Sequence, residues 1–487
     1  MQRTDIYERA RLSRDARFDG QFFIGVKTTG IYCRPICSAV PPKPQNVSFY
    51  ESAAAAAEAG FRPCLRCRPE CAPGTPAWNG TSTTVRRGLR LIAGGALDAG
   101  SIEQLADRLG VTSRHLCRLF ARHLGASPLA VAHTQRLHFA KRLIDQTILP
   151  MSSVATAAGY GSTRRFNDAF KNTYGRSPRD LRRCSDHAVD TGGTLTVRLP
   201  WRKPFNWAAM CDFLSRRATP AVEQVTADSY FRTVMVDAQP GVIECRPDHS
   251  SDSLRLSLHG VGTRGLLRLV QRVREMFDVD APVADIAQAL RADELIRKLL
   301  RARPGIRVPG AWDGFELTVR AILGQQVSVK AATTLAGCIA DRYGEAVELP
   351  GSLHGLADTL HLDRLFPTAK KLSRARFNGI GLVGKRAETI RRVAQAVVSG
   401  EINFDDFQDP DQLCRTLMSI SGIGDWTAQY VAMRALKNPD AFPASDLGLL
   451  KALDVSAEEL RPRAEAWRPW RAYAAMLLWN SLPSSGG

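Results

Sequence analysis

The chain has 487 residues, 44% of them hydrophobic, and a formal net charge of +18, which is length enough for three or four domains with cores of their own. No apolar run reaches membrane-spanning length and no signal-peptide pattern is present, so a membrane protein or a secreted disulfide scaffold is not expected; the 11 cysteines, an odd number, point to reduced thiols in the cytoplasm. Residues 1–190 hold 28 Lys and Arg against 15 Asp and Glu, so 13 of the 18 net charges sit there and the expected partner is a polyanion, nucleic acid rather than membrane.

The first informative stretch runs from Lys27 to Arg68. Cys33 and Cys37 form one close pair, Cys64 and Cys67 another, with 26 residues between the pairs. Such pairs suit tetrahedral zinc, because each loop can turn two thiolates onto one ion. Arg34, Arg62, Arg66, Arg68 and Lys43 crowd the ligands. A cationic rim suits an approaching phosphate and favours the thiolate. On spacing alone a closed structural zinc site with incidental arginines stands beside this reading. Cys71 is not expected as a fifth ligand, and Cys117, Cys184, Cys211, Cys245, Cys338 and Cys414 are expected as buried fillers.

Thr28-Thr29-Gly30-Ile31-Tyr32-Cys33-Arg34-Pro35, Asn46-Val47-Ser48-Phe49-Tyr50 and Ala59-Gly60-Phe61-Arg62-Pro63-Cys64 resemble the Ada-type DNA repair domain over about residues 5–72. That family takes a methyl group from a DNA methylphosphotriester onto a zinc-bound cysteine. The resemblance implies Cys33 as methyl acceptor, Cys37, Cys64 and Cys67 as fellow zinc ligands, and Thr29 and Arg62 at the DNA backbone. Two basic family positions read Ser38 and Val40 here, with Lys43 as the substitute; Arg34 is also expected to face DNA.

Pro73 to Thr84 reads as a linker, and Val85 to Arg183 as helices. Ile102, Leu105, Ala106 and Leu109, then Leu116, Leu119 and Phe120, recur at helical spacing, with Ser101 as N-cap. Gly110-Val111-Thr112-Ser113 breaks the pattern as a helix-turn-helix does, and Met151 to Tyr174 repeats it. Gly125-Ala126-Ser127-Pro128 and Gly175-Arg176-Ser177-Pro178 close the two units alike. These paired units resemble the AraC-type DNA-binding domain. The implied groove helices, Ser113 to His123 and Ser162 to Tyr174, present Arg114, His115, Arg118 and Arg122, and Thr163, Arg164, Arg165 and Asn167. A plain helix bundle with solvated arginines is the alternative.

After a second linker, Asp190 to Thr194, alternation predicts strands over Thr194–Leu199, Phe231–Val236 and Leu254–Leu258 with a helix over 204–217. From Asp285 the chain reads as helical. Leu417 to Ala428 is a helix, a Gly422-Ile423-Gly424 turn and a second helix, whose glycines and helix N-terminus suit a DNA phosphate. Asp446 follows 22 residues after Gly424. Together these resemble helix-hairpin-helix DNA glycosylases with a catalytic aspartate. Arg320 to Ser328, Trp467 to Tyr473, Trp201 to Phe213 and Ala227 to Tyr230 narrow the likeness to the AlkA-type 3-methyladenine DNA glycosylase II, over about 194–482.

That resemblance implies Asp446 as the glycosylase carboxylate and Phe213, Trp426, Tyr430 and Trp479 as the base pocket. It places the carbonyls of Met418, Ile420 and Gly422 at a monovalent cation, and Gln326 at the residue wedged into the duplex. Gln326 is polar where an apolar residue is the pattern, and Leu447 stands where an aromatic would follow the aspartate. The alternative for Asp446 is the N-cap of Leu447–Leu453, a role compatible with the catalytic one, and for the tryptophans ordinary core packing. Trp426 occupies the lysine position of lyase-active relatives, and Cys414 alone cannot hold an iron–sulfur cluster, so a monofunctional enzyme is expected.

The expected fold is multidomain: a small zinc-binding α/β domain over 1–75, an all-α double helix-turn-helix domain over 83–184, an α+β domain over 191–300, and an all-α helix-hairpin-helix domain over 301–487. The expected function is twofold. One half senses methylated DNA and activates repair genes; the other excises alkylated bases. Zinc, double-stranded DNA and RNA polymerase are the expected cofactor and partners, with the chain acting as a monomer. The competing expectation is a methylation-sensing transcription factor with an inactive glycosylase-like part.

Overall fold

The computed structural model describes residues 3–72, 83–98, 100–182, 194–356, 359–382, 384–404 and 410–482. Most of both expected linkers, and Cys184, lie outside these residues. The chain forms two compact units, Met1–Thr191 with Leu195–Arg202 and Gly262–Gln271, and Gly192–Thr194 with Lys203–Val261 and Arg272–Gly487.

The first unit opens with a four-stranded sheet. Phe23–Val26 pairs antiparallel with both Ile31–Cys33 and Val47–Tyr50, while Arg62–Pro63 pairs parallel with Ile31–Tyr32. That two-residue parallel pairing decides the site. The Cys64 amide donates to Tyr32 O at 3.0 Å, which sets the second cysteine pair beside the first. Ser52 caps the helix Ala53–Glu58, and Ala56 packs on Phe23 and Tyr32 from one side of the sheet. Tyr7, Ala10, Phe22 and Ile24 form a separate cluster.

Six helices follow: Thr83–Ala93, Ile102–Leu109, Ser113–Leu124, Pro128–Gln146, Met151–Ala157 and Thr163–Tyr174. Local chemistry explains each boundary. Ser101 makes a reciprocal capping box with Gln104, Thr112 and Ser162 cap the two expected groove helices, and Gly125 and Gly175 end them at φ +66°. Leu116, Phe120 and Leu124 bury one face of the first groove helix, and Phe166, Phe170 and Tyr174 one face of the second. The opposite faces keep Arg114, Arg118, Arg164 and Arg165 exposed.

In the second unit, Glu223–Val225, Tyr230–Val236, Gln239–Asp248 and Ser253–His259 run antiparallel in sequence order. The strand Gln239–Asp248 escapes a reading by alternation. Its hairpin turns at Asp237 and Ala238, both at positive φ (50° and 61°), without the Asn-Gly signature of such turns. Under this sheet lies a buried ionic cluster: Arg232 bridges Glu223 at 2.9 Å and pairs with Glu316, and Arg320 bridges Glu223 at 2.8 Å and Glu316 at 3.0 Å. The helices begin earlier than expected, at Leu266–Met276. Cys211, Cys245 and Cys414 are buried as expected, but Cys338 is exposed and Cys117 half-buried. Cys338 falls on the outward side of the helix Val329–Tyr343, whose inner side is Ala336, Ile339 and Ala340.

Candidate functional site

The sulfurs of Cys33, Cys37, Cys64 and Cys67 all lie within 4.8 Å of one another. Tetrahedral zinc with its usual bond lengths needs sulfurs about 3.8 Å apart, so a small contraction closes the site. Four crowded thiols must share protons, and hydrogen bonding pushes Cys33 up and Cys64 down. A bound dication replaces those protons. The residues present therefore fit zinc. The Arg34 amide donates to Cys67 Sγ at 3.4 Å, an additional hold on one ligand.

The cationic rim divides. Thr29, Lys43, Arg62 and Arg66 are exposed. Arg34, expected to face DNA, turns inward: its guanidinium pairs with Asp19 and donates to Cys67 O at 3.1 Å. Arg68 also turns inward, to Asp145 on the helix Pro128–Gln146 at 2.5 Å. Lys141 bonds the same carboxylate at 2.6 Å and stands 3.9 Å from Glu70. Tyr32 Oη meets His138 Nε2 at 2.7 Å, and burial pushes the His138 pKa down to about 3, so the ring is neutral there. The zinc-ligand strand and the helix-turn-helix scaffold thus share a buried polar seam. Sequence patterning missed it, because the partners stand far apart in the chain and each looks solvated in isolation.

In the second unit, Asp446, Trp426, Tyr430, Trp479 and Gln326 line one cavity of about 1110 Å³. Asp446 caps the helix Leu447–Leu453, its Oδ1 accepting from the Leu449 amide at 3.1 Å. Trp479 Nε1 donates to Oδ1 and Trp426 Nε1 to Oδ2, each at 2.8 Å. Three N–H groups therefore fix the carboxylate plane while one edge faces the cavity. The tryptophans are neither plain core nor only stacking surfaces, since both indoles position the aspartate. Gly448 is tight against this arrangement: a Cβ there would stand 2.9 Å from Asp446 Oδ1 and 3.2 Å from Trp479.

Tyr430 stacks on Trp426 with ring centroids 5.3 Å apart and planes at 7°. Phe213 stands off the wall that holds Asp446. It lies under the guanidiniums of Arg217, at 3.9 Å, and Arg434, at 4.9 Å, and lines a neighbouring cavity. Arg217, Arg320 and Arg434 all reach the main cavity. Sequence reading passed over them, although Tyr430–Arg434 has the i, i+4 spacing that brings side chains together on a helix; Arg217 lies in the turn beyond the helix Trp207–Ser215.

At the mouth of the cavity, Gln326 is held at φ +55° and Leu447 is 72% exposed. The hairpin Leu417–Ala428 has Gly422 at φ +96°, where a Cβ would collide with Thr389 Oγ1. The Gly422 carbonyl accepts from Gln325 Nε2 at 2.9 Å. A Cβ on exposed Gly424 would meet nothing within 4 Å, so a backbone phosphate can approach the N-terminus of the helix Asp425–Arg434 there.

Comparison with known proteins finds three domain families along the chain. Residues 7–70 match the metal binding domain of Ada, 105–184 a helix-turn-helix domain, and 196–313 the AlkA N-terminal domain. A DNA-3-methyladenine glycosylase 2 of Escherichia coli K12 is 32% identical over 286 residues, 58% of this chain and 95% of that protein. The solved 3-methyladenine DNA-glycosylase from Archaeoglobus fulgidus shares the fold of 59% of this chain, at a TM-score of 0.50 and 24% identity, with 97% of its own length covered. A probable bifunctional transcriptional activator/DNA repair enzyme AlkA of Mycobacterium tuberculosis H37Rv is 39% identical over 483 residues, 97% of this chain and 95% of that protein. With that identity sustained over nearly the full length of both chains, and a cysteine cluster, paired helix-turn-helix units and a hairpin glycosylase fold in the same order, this chain belongs to the family of bifunctional transcriptional activator/DNA repair enzymes.

Proposed function

We propose that Cys33 accepts a methyl group from methylphosphotriesters in DNA, and that Asp446 supports the hydrolytic release of alkylated bases such as 3-methyladenine. The convergence of two indole N–H groups and a helix-capping amide on Asp446 at a cavity wall carries the glycosylase reading. A fixed carboxylate beside the anomeric carbon stabilises the positive charge that develops on the sugar and orients the incoming water. The stacked Trp426 and Tyr430 offer aromatic surface to the flipped base. With Trp426 in the place of a lysine, no amine there can form a Schiff base, so the product is an intact abasic strand.

In the sensor, Cys33 Sγ attacks the methyl carbon, the C–O bond breaks, and its electron pair stays on the phosphate as an ordinary diester. Cys33, Cys37, Cys64 and Cys67 would hold zinc, which would keep the attacking sulfur a thiolate at neutral pH. Exposed Thr29, Lys43, Arg62 and Arg66 hold the DNA backbone. A thioether is no longer a nucleophile, so each chain turns over once. The change from thiolate to neutral thioether removes one negative charge facing DNA and tightens binding through Arg114, Arg118, Arg164 and Arg165 at target promoters. Activation then proceeds through contact with RNA polymerase, in the cytoplasm, with the protein as a monomer. A monovalent cation on the carbonyls of Met418, Ile420 and Gly422 would steady the phosphate at Gly424.

One experiment tests both halves. The protein is incubated with methylated duplex DNA, methyl-cysteine is mapped by mass spectrometry, and released bases are identified by chromatography. Methyl-Cys33 together with free 3-methyladenine is the expected result; methylation elsewhere, or no base release, refutes the corresponding half.

A further inference from the structure

The cavity beside Asp446 has an electrostatic character that a pocket for cationic bases does not need. Arg217, Arg320 and Arg434 reach it; Arg320 is already paired with Glu223 and Glu316, and the charges of Arg217 and Arg434 oppose a base that is itself positive. A neutral base that presents a carbonyl or a ring nitrogen is instead attracted. Such a base is a poor leaving group until it gains a proton. Asp446 cannot easily supply one, because it accepts from both indoles and the Leu449 amide.

Tyr430 is placed to supply it. Its side chain lies on the cavity wall, stacked on the same Trp426 that holds Asp446. Its Oη accepts from Arg434 Nη1 at 2.6 Å. Arg434 cannot swing away, because its Nε donates to Pro309 O at 2.9 Å and its Nη2 to Gly310 O at 3.1 Å. The phenol is thus fixed as an acceptor on one side, and its own proton has no acceptor among the described residues. Burial by itself raises the phenol pKa, but Arg434, Arg217 and Arg320 outweigh it and the net direction is down. A phenol of lowered pKa is a better proton donor at neutral pH.

We propose that Tyr430 is a further catalytic residue, a general acid that protonates neutral damaged bases as they leave. This rests on the glycosylase reading above and extends it to a second substrate class. The C1′–N bond breaks with its electron pair passing to the base, while the Tyr430 O–H proton passes to a ring nitrogen or carbonyl oxygen of that base. The phenolate is held by Arg434. Water adds to C1′, its proton leaves past Asp446 to solvent, and the phenolate regains a proton from solvent. A cationic base leaves as a neutral molecule without this donor.

The test uses the full chain and two duplexes, one with a single deoxyinosine and one with a single 7-methylguanine, under single-turnover conditions. Tyr430→Phe should slow release of the neutral base about 30-fold more than release of the cationic base, whose own slowing reads the altered stacking common to both. Release of the neutral base by the unaltered protein should fall as pH rises through the phenol's titration, and Tyr430→Phe should lose that limb. Arg217→Gln, which removes one of the facing charges, should move the limb to higher pH. Equal slowing of both bases by Tyr430→Phe overturns the proposal. So does release of 7-methylguanine with no release of the neutral base by the unaltered protein. Release of neither base by the unaltered protein defeats the glycosylase reading itself, which separates the two failures.

Discussion

Replacing Asp446 by Asn keeps the shape of the side chain and its capping oxygen, since Asn is as good an N-cap as Asp. It alters the hydrogen-bond inventory. The carboxylate accepts from Trp426 Nε1, Trp479 Nε1 and the Leu449 amide, two of them on Oδ1 and one on Oδ2. Asn offers one oxygen and one NH₂ group, so at least one indole donor faces another donor. The cost in stability is about 1 kcal/mol, at the low end for an unpaired group because both tryptophans are only half-buried. The cost in rate is larger: losing the fixed negative charge at the developing sugar cation slows base release roughly 100- to 1000-fold. Single-turnover release from methylated duplex DNA, measured by chromatography beside a binding isotherm, separates the two. Trp479→Phe is the companion variant, since it keeps a ring, removes one donor, and should slow release roughly 10- to 100-fold through a misplaced carboxylate. Release by Asp446→Asn within about threefold of the unaltered protein, a small fraction of the loss expected for such a charge, would refute the reasoning.

Cys33→Ser should abolish stoichiometric methyl uptake, and the isolated protein should contain zinc that a chelator removes together with uptake; a zinc-free protein that still takes up methyl contradicts the ligand assignment. Methylation of Cys33 should tighten promoter binding, and the gain should shrink as salt rises; equal affinity of both forms at every salt concentration counts against the charge argument. Gly422→Ala should weaken duplex binding and lower the thermal midpoint, because the position combines φ +96° with a collision against Thr389, and such strain and overpacking each cost about 1–3 kcal/mol. Burial by itself raises Glu223, but Arg320, Arg232 and a hydrogen bond from Tyr230 bring its pKa down to about 2. Its folded pKa lies below the unfolded value, so its contribution is complete above about pH 4.5 and is lost as pH falls toward 2. Acid unfolding followed by circular dichroism should lose this dependence in Glu223→Gln.

The amino-acid sequence by itself determined the features that depend on near neighbours. The two cysteine pairs, the cap at Ser101, the like endings of the two units at Gly125 and Gly175, and Asp446 as an N-cap are all legible because each needs only a few consecutive residues. Tertiary structure decided what those features meet. The parallel pairing of Arg62–Pro63 with Ile31–Tyr32 joins the cysteine pairs, and nothing in the composition of two residues announces a strand. Trp426 and Trp479 stand 20 and 33 residues from Asp446, and only packing turns their indole N–H groups onto one carboxylate. Arg34 and Arg68 look like a DNA-facing rim in the sequence, yet Asp19 and Asp145 draw them inward. The reason is common to all of these: helix periodicity and capping are short-range hydrogen-bond patterns, whereas the partner of a charged or polar side chain is set by which distant surface is buried against it.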